Sequence, residues 1–89
     1  MANSKSSKKR IRVAERRAER NKPLRTEART YVKKAEAAIA AGDVAVAEAA
    51  TREAISVLDR VAVKDVIHKN NAARRKSRLM AKFNALAAA

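Results

Sequence analysis

The sequence predicts an all-α protein, a three-helix bundle with a long, basic N-terminal helix that extends beyond the bundle. Two observations support this prediction. The chain is rich in alanine, arginine, lysine and glutamate, which favour helix, and its 89 residues include one glycine and one proline. Apolar residues recur every three or four positions in three segments, which is the period of one helix face. Because much of the apolar content is alanine, the core is thin, and we expect a partner to complete the order of the fold.

Helix one is predicted from an apolar stripe that ends at a turn. The stripe steps by four, four, three and four, and consists of Leu24, Ala28, Val32, Ala35 and Ile39. Glycine just past a helix end favours the left-handed cap conformation, so Gly42 indicates that helix one ends at about residue 41.

Helix two is predicted over residues 44–63. Asp43 follows the turn glycine and suits the N-cap position, where a carboxylate accepts hydrogen bonds from free backbone N–H groups. The apolar stripe of this helix consists of Ala47, Ala50, Ala54, Leu58 and Val61. Because the loop is short, helices one and two should form an antiparallel hairpin whose alanines let the backbones approach closely.

Helix three is predicted over about residues 66–87, with Asp65 as its N-cap. Its apolar positions are interrupted by basic residues and consist of Ala72, Leu79, Met80, Phe83 and Leu86. We expect Phe83 to pack onto the hairpin and Met80 to fill a gap in the core. Residues 23–89 would then form the bundle.

Residues 1–22 are predicted to form a basic arm that extends helix one. Ile11, Ala14 and Ala18 lie at helical spacing, but this stripe is too narrow to bury much area. Isolated helices are marginal in water, so we expect residues 1 to about 20 to be frayed when free and helical when bound. Pro23 either kinks helix one or begins it afresh, since a proline inside a helix removes one hydrogen bond.

The net charge of +13 is concentrated in two segments. Residues 1–34 carry 13 basic and 3 acidic side chains, residues 35–63 carry 2 and 5, and residues 64–89 carry 7 and 1. Such self-repulsion destabilises a free fold, and a polyanion relieves it. In helix three, Arg74, Arg78 and Lys82 step by four and form one ridge opposite the apolar stripe. A ridge of this kind suits a phosphate backbone, so the predicted partner is nucleic acid.

Structured RNA is the favoured nucleic acid. Tyr31 and Phe83 occupy core-type positions, so no aromatic side chain is left to stack on unpaired bases. Zinc-finger, RNA-recognition-motif and basic-zipper patterns are absent, which favours readout of backbone and shape. The main alternative is a nucleoid-type protein that coats duplex DNA without sequence preference. A membrane-surface protein is a weaker alternative, because the acidic middle segment and the lack of tryptophan count against it.

Catalysis and cofactor binding are not expected. The chain has no cysteine, and its one glycine cannot build a phosphate-cradling loop. His68 is the only histidine, and without cysteine or clustered carboxylates it makes no metal site. No nucleophile elbow accompanies it. We expect His68 to cap or pack at the start of helix three, or to contact phosphate when protonated.

The chain resembles the bacterial small-subunit ribosomal protein S-twenty family over nearly its whole length. The opening Met1-Ala2-Asn3, the segment Arg20-Asn21-Lys22 and the turn Ala41-Gly42-Asp43 fall at the family spacing. The most specific stretch is the run of residues 66–79, VIHKNNAARRKSRL. A basic, alanine-rich helix alone would be a weak signal, whereas this ordered run is a strong one.

The resemblance implies direct, early binding to small-subunit (16S) ribosomal RNA, bridging its 5′ domain and its long 3′ minor-domain helix during assembly in the cytoplasm. It implies no enzyme activity, cofactor, membrane or small-molecule substrate, few or no protein neighbours, and a monomer within the ribosome. The RNA-binding candidates that it implies in the first basic segment are Lys5, Ser6, Lys9, Arg10, Arg16, Arg20, Asn21, Lys22, Arg29, Thr30 and Lys33. Those in the second are His68, Lys69, Asn70, Arg74, Lys76, Ser77 and Arg78, to which the ridge adds Lys82.

Three positions depart from the family pattern. Ser4 replaces a usual aliphatic residue, which bears on apolar anchoring of the tip. Pro23 replaces a helix former, which bears on the straightness of helix one. Asp65 replaces the usual glycine, which permits a left-handed turn that aspartate tolerates less well.

Overall fold

Three helices form an elongated bundle in the computed structural model, which describes residues 5–89 and measures 61 × 19 × 18 Å. Helix α1 spans Lys5–Ala41, α2 spans Val44–Val63 and α3 spans Lys69–Ala88. The prediction of an all-α fold with a long first helix is confirmed. The family-like opening at residues 1–3 and the expectation for Ser4 lie outside the described residues.

The turn between α1 and α2 follows the predicted capping chemistry. Gly42 has a φ of +88°, which places it in the left-handed region that favours glycine. Asp43 is the N-cap of α2, and its Oδ1 accepts from the backbone N–H groups of Ala45 at 3.1 Å and Val46 at 3.3 Å. Two residues therefore reverse the chain, and α2 runs antiparallel to α1.

The core lies along the seam between α1 and α2, and α3 closes it. Its buried members are Ala28, Ala35, Ala54, Val57, Leu58, Val61, Val66 and Leu79. The apolar stripes predicted for α1 and α2 are buried or half-buried throughout, which confirms them. Alanines at three of the core positions allow close approach of the helix backbones, as expected.

The third helix differs from its predicted packing at one residue. Met80 is 38% exposed, so its assignment to the core is wrong. Leu79, which is 2% exposed, takes the core position instead, and successive helical residues point about 100° apart. Phe83 and Leu86 are half-buried.

The junction between α2 and α3 corrects the expectation for Asp65. Asp65 has a φ of +58° and does not cap α3. Its N–H donates to the carbonyl of Ala62 at 3.0 Å, and the N–H of Val66 donates to the carbonyl of Val61 at 3.2 Å. These two bonds, with Val61 and Val66 both in the core, form a Schellman motif that ends α2. Asp65 keeps the left-handed turn that the usual glycine would permit.

Helix α3 begins at Lys69, three residues later than the predicted start at 66. The N-cap is His68, whose Nδ1 accepts from the N–H of Asn70 at 3.0 Å. The capping role expected as one alternative for His68 is therefore confirmed. The Schellman motif explains the delay, because residues 64–66 complete the end of α2 before a new helix begins.

Helix α1 continues through Pro23 without a break. The core contacts of α1 begin at Leu24, and none of residues 5–23 is buried. This segment, called the arm below, extends about 28 Å at the usual rise of 1.5 Å per residue. Ile11 is 46% exposed, in agreement with a stripe too narrow to bury much area.

The chain directions gather three helix termini at one end of the bundle. Since α2 is antiparallel to both neighbours, the end of α1, the start of α2 and the end of α3 lie together. This end has little charge, because residues 37–47 contain only Asp43 as an ionisable side chain and residues 83–89 contain none. The arm and the α2–α3 junction lie toward the opposite, basic end.

Candidate nucleic-acid interface

Acidic side chains of the bundle form one ion pair across each helix interface. Glu27 of α1 pairs with Arg60 of α2. The Nζ of Lys76 in α3 lies 2.7 Å from Oδ1 of Asp59 in α2. The Nζ of Lys82 in α3 lies 3.1 Å from Oε1 of Glu36 in α1. All three pairs are partly exposed, and such pairs contribute roughly 0–1 kcal/mol each.

Two predicted RNA-binding residues are members of these pairs. Lys76 and Lys82 contact acidic groups of their own chain, so each holds two helices together. Arg74 and Arg78, which share the predicted ridge with Lys82, are exposed and have no acidic partner among residues 5–89. The ridge therefore contains free and paired cations.

The arm has a different electrostatic character. Its basic side chains are exposed, and none forms an ion pair with an acidic group of the described chain. Arg20 donates from Nε to Oδ1 of the half-buried Asn21 at 3.3 Å. The predicted arm residues that are exposed are Lys5, Ser6, Lys9, Arg10, Arg16, Arg20 and Lys22. The arm thus presents exposed cations that make no ion pair with the acidic groups of residues 5–89.

The remaining predicted residues lie on α1 and α3 within the bundle. Thr30 and Lys33 are exposed on α1, and Lys69, Asn70 and Ser77 are exposed on α3.

The structure brings the two basic segments together in one place. Arg29 of α1 and His68, the cap of α3, line a cleft between these elements. Farther along the same interface, a groove contains the ridge of Arg74, Arg78 and Lys82 beside Glu36. No residue of the arm lines this cleft or this groove, and the second basic segment forms a face of the bundle.

Two cleft arginines were not among the predicted binding residues. Arg25 lies one turn before Arg29 on α1, and Arg75 lies one turn after Asn71 on α3, and all four line the cleft. The spacing of four between Arg25 and Arg29 is a signal in the sequence that they share a helix face. The proximity of Arg75 to them depends on how α3 packs, which spacing alone does not reveal.

The arm also carries cations beyond the predicted set. Lys8, Arg12 and Arg17 are exposed and have the same surroundings as the predicted arm residues. The signal that could have found them is the density of lysine and arginine in the segment itself, which covers most of the helix surface apart from the face of Ile11, Ala14 and Ala18.

Residues 5–89 contain no group of three or more histidine, cysteine, aspartate or glutamate side chains placed to hold a metal ion. None of the helices described has the length and apolarity needed to cross a membrane.

Comparisons with known proteins identify the family of this chain. The family model described as Ribosomal protein S20 matches residues 2–84. The small ribosomal subunit protein bS20 of a Roseiflexus species (strain RS-1) is 63% identical over 83 residues, which are 93% of this chain and 90% of that protein. The bS20 protein of Saccharophagus degradans is 57% identical over 88 residues, covering 99% of this chain and all of that protein. On these matches, the chain belongs to the ribosomal protein S20 family.

Proposed function

We propose that this chain is a structural constituent of the small ribosomal subunit in the cytoplasm and that it binds directly to 16S ribosomal RNA. Family membership supports the assignment to the subunit. The observation that carries direct RNA binding is the separation of charges. Three bundle acids, Glu27, Glu36 and Asp59, pair with cations of neighbouring helices, whereas the arm cations and the Arg74 and Arg78 side chains of the α1–α3 face have no acidic partner among residues 5–89.

The mechanism is neutralisation of phosphates by a shaped array of cations. Each phosphate contact releases condensed counterions, so affinity falls steeply as salt rises. The arm and the α1–α3 face lie at different places along a molecule 61 Å long. One protein therefore reaches phosphates of separate RNA helices, which would repel each other without it, and bridges them during assembly.

The roles proposed for the two segments follow from which of residues 5–89 are buried. Residues 1–22 act as the RNA-binding arm, and residues 23–89 act as the bundle that sets its direction. The binding residues proposed are Lys5, Ser6, Lys9, Arg10, Arg16, Arg20, Asn21, Lys22, Arg29, Thr30, Lys33, His68, Lys69, Asn70, Arg74, Lys76, Ser77, Arg78 and Lys82. Among them, Lys76 and Lys82 contribute mainly through the helix packing that their ion pairs support.

We propose that the protein works as a monomer within the ribosome, has few or no protein neighbours, and carries out no enzyme reaction. Its contacts read backbone and shape, because Tyr31 packs against the core and Phe83 is half-buried, which leaves neither free to stack on bases.

A salt titration of binding tests this function. Affinity is measured for small-subunit ribosomal RNA, for an unrelated structured RNA of the same size, and for duplex DNA. We expect a large preference for the ribosomal RNA that persists at physiological salt. Equal affinities that vanish together as salt rises would contradict the proposal and would indicate a generic polycation of the nucleoid type.

A further inference from the structure

We propose that the cleft between the middle of α1 and the start of α3 binds one phosphodiester group of an RNA backbone. The cleft is lined by polar and apolar residues of both elements: Arg25, Ala28, Arg29, Val66, Ile67, His68, Asn71 and Arg75. The assignment of RNA as the source of the phosphodiester rests on the proposed function, whereas the anion site itself follows from the geometry below.

The charge of the cleft is positive and uncompensated. Arg25 and Arg29 lie four residues apart on one face of α1, and Arg75 joins them from α3. No acidic residue lines the cleft, unlike the neighbouring groove, which contains Glu36. A guanidinium group offers paired donors that match two phosphate oxygens, so three such groups in one cleft suit a phosphodiester.

The capping bond of His68 prepares a fourth donor. Nδ1 accepts from the N–H of Asn70 at 3.0 Å, so Nδ1 carries no proton. The neutral ring then carries its proton on Nε2, which is a donor. His68 can therefore cap α3 through Nδ1 and donate to a ligand in this cleft through Nε2.

Two further contacts hold the cleft ready for an anion. Arg75 donates from Nε to Oδ1 of Asn71 at 2.9 Å, which orients the guanidinium and leaves its terminal NH₂ groups for a ligand. Ala28 and Val66 line the cleft and are 3% and 5% exposed, so they belong to the buried core beneath it. An apolar base of this kind lowers the local dielectric and strengthens the attraction between guanidinium and phosphate relative to bulk water.

A matched pair of double variants tests the cleft against loss of charge alone. Arg25→Gln/Arg75→Gln removes two charges from the cleft, and Arg52→Gln/Lys64→Gln removes two from α2 and its C-cap. We expect the cleft variant to lose at least about tenfold in affinity for small-subunit ribosomal RNA, and the α2 variant to lose less than about threefold. Far-UV circular dichroism should be the same for both. Equal losses would overturn the cleft proposal and leave RNA binding by the protein intact.

The variant His68→Asn tests the fourth donor without removing the cap. Asparagine is a favoured N-cap residue but is too short to replace the Nε2 donor. We expect a loss of about threefold to tenfold in affinity, with the midpoint of thermal unfolding unchanged. Wild-type affinity in this variant would overturn the role of His68.

A titration with dimethyl phosphate tests the site without RNA. We expect saturable NMR shifts at the Arg75 Nε–H, the Asn71 side chain and the His68 ring, larger than those at arm arginines such as Arg12. Equal shifts at all arginines would overturn the site. If shifts are confined to the cleft but ribosomal RNA is not preferred over duplex DNA, the anion site stands and the proposed function fails.

Discussion

The arm and the bundle use the same kinds of side chain for opposite purposes. All four ion pairs found among residues 5–89 have both members within residues 27–82, and three of the four join different helices. The arm contains Glu15 and Glu19, yet neither forms an ion pair with a neighbouring cation within the described residues. Three ion pairs join helices of the bundle, whereas the arm cations have no acidic partner among residues 5–89.

This difference also separates two sources of helix stability. In the bundle, buried apolar residues such as Leu58 stabilise the helices through packing. In the arm nothing is buried, so its helix depends on propensity alone, which is marginal for an isolated segment. The helical order of the arm is therefore the property most sensitive to the RNA. Fraying of residues 1 to about 20 in the free protein stays a prediction.

The largest expected effect comes from removing a core side chain. Leu58 is fully buried, and Leu58→Ala should lower the free energy of unfolding by about 2–5 kcal/mol through lost burial and a residual cavity. The matched arm variant is Ile11→Ala, which should change it by less than about 0.5 kcal/mol. Urea unfolding followed by circular dichroism measures both values. Similar losses would mean that the arm packs against the bundle.

The second effect concerns the proline at the boundary between the two regions. Pro23 has no N–H to donate to the carbonyl of Glu19, so Pro23→Ala should stabilise α1 locally by up to about 3 kcal/mol. Amide hydrogen exchange in the free protein should slow at residues 12–22 and stay constant in α2. The control Thr26→Ala, one turn later, should gain less than about 1 kcal/mol. Unchanged exchange in the arm would show that Pro23 does not limit its order.

The smallest effect distinguishes a free cation from a paired one on the same helix. Arg74→Gln should change the free energy of unfolding by less than about 0.5 kcal/mol. It should reduce RNA affinity, and the number of counterions released on binding should fall by about one. Lys76→Gln breaks the pair with Asp59, so it should lower the free energy of unfolding by up to about 1 kcal/mol. Its loss of RNA affinity should be smaller than that of Arg74→Gln. Equal affinity losses would mean that the Lys76–Asp59 pair opens when RNA binds.

Local rules were sufficient for most of the fold. The turn at Gly42 and Asp43 needed only the capping preferences of two adjacent residues, and the stripes of α1 and α2 needed only the helical period. Asp65 was misassigned because aspartate suits both an N-cap and, less well, a left-handed position. The choice depends on the burial of Val61 and Val66 in the core shared by the helices, which local capping preferences do not reveal.

The candidate site was less accessible to sequence reasoning, because charge alone does not identify the partner of each cation. Lys76 and Lys82 illustrate this limit. Each forms an ion pair with another helix, and the partners lie at sequence separations that no local pattern reveals. Arg25 and Arg75 gain their significance only when α3 packs beside α1. Met80 was assigned to the core because two adjacent apolar residues cannot be ranked by period alone.

Three helix termini meet at the weakly charged end of the bundle, and this arrangement has a kinetic consequence. The centre of positive charge is displaced from the centre of mass along the 61 Å axis, which gives the molecule a large electric dipole moment. The field of an RNA exerts a torque on that dipole and turns the basic end forward before contact. Encounters are therefore oriented as well as accelerated, and both effects weaken as the Debye length shortens.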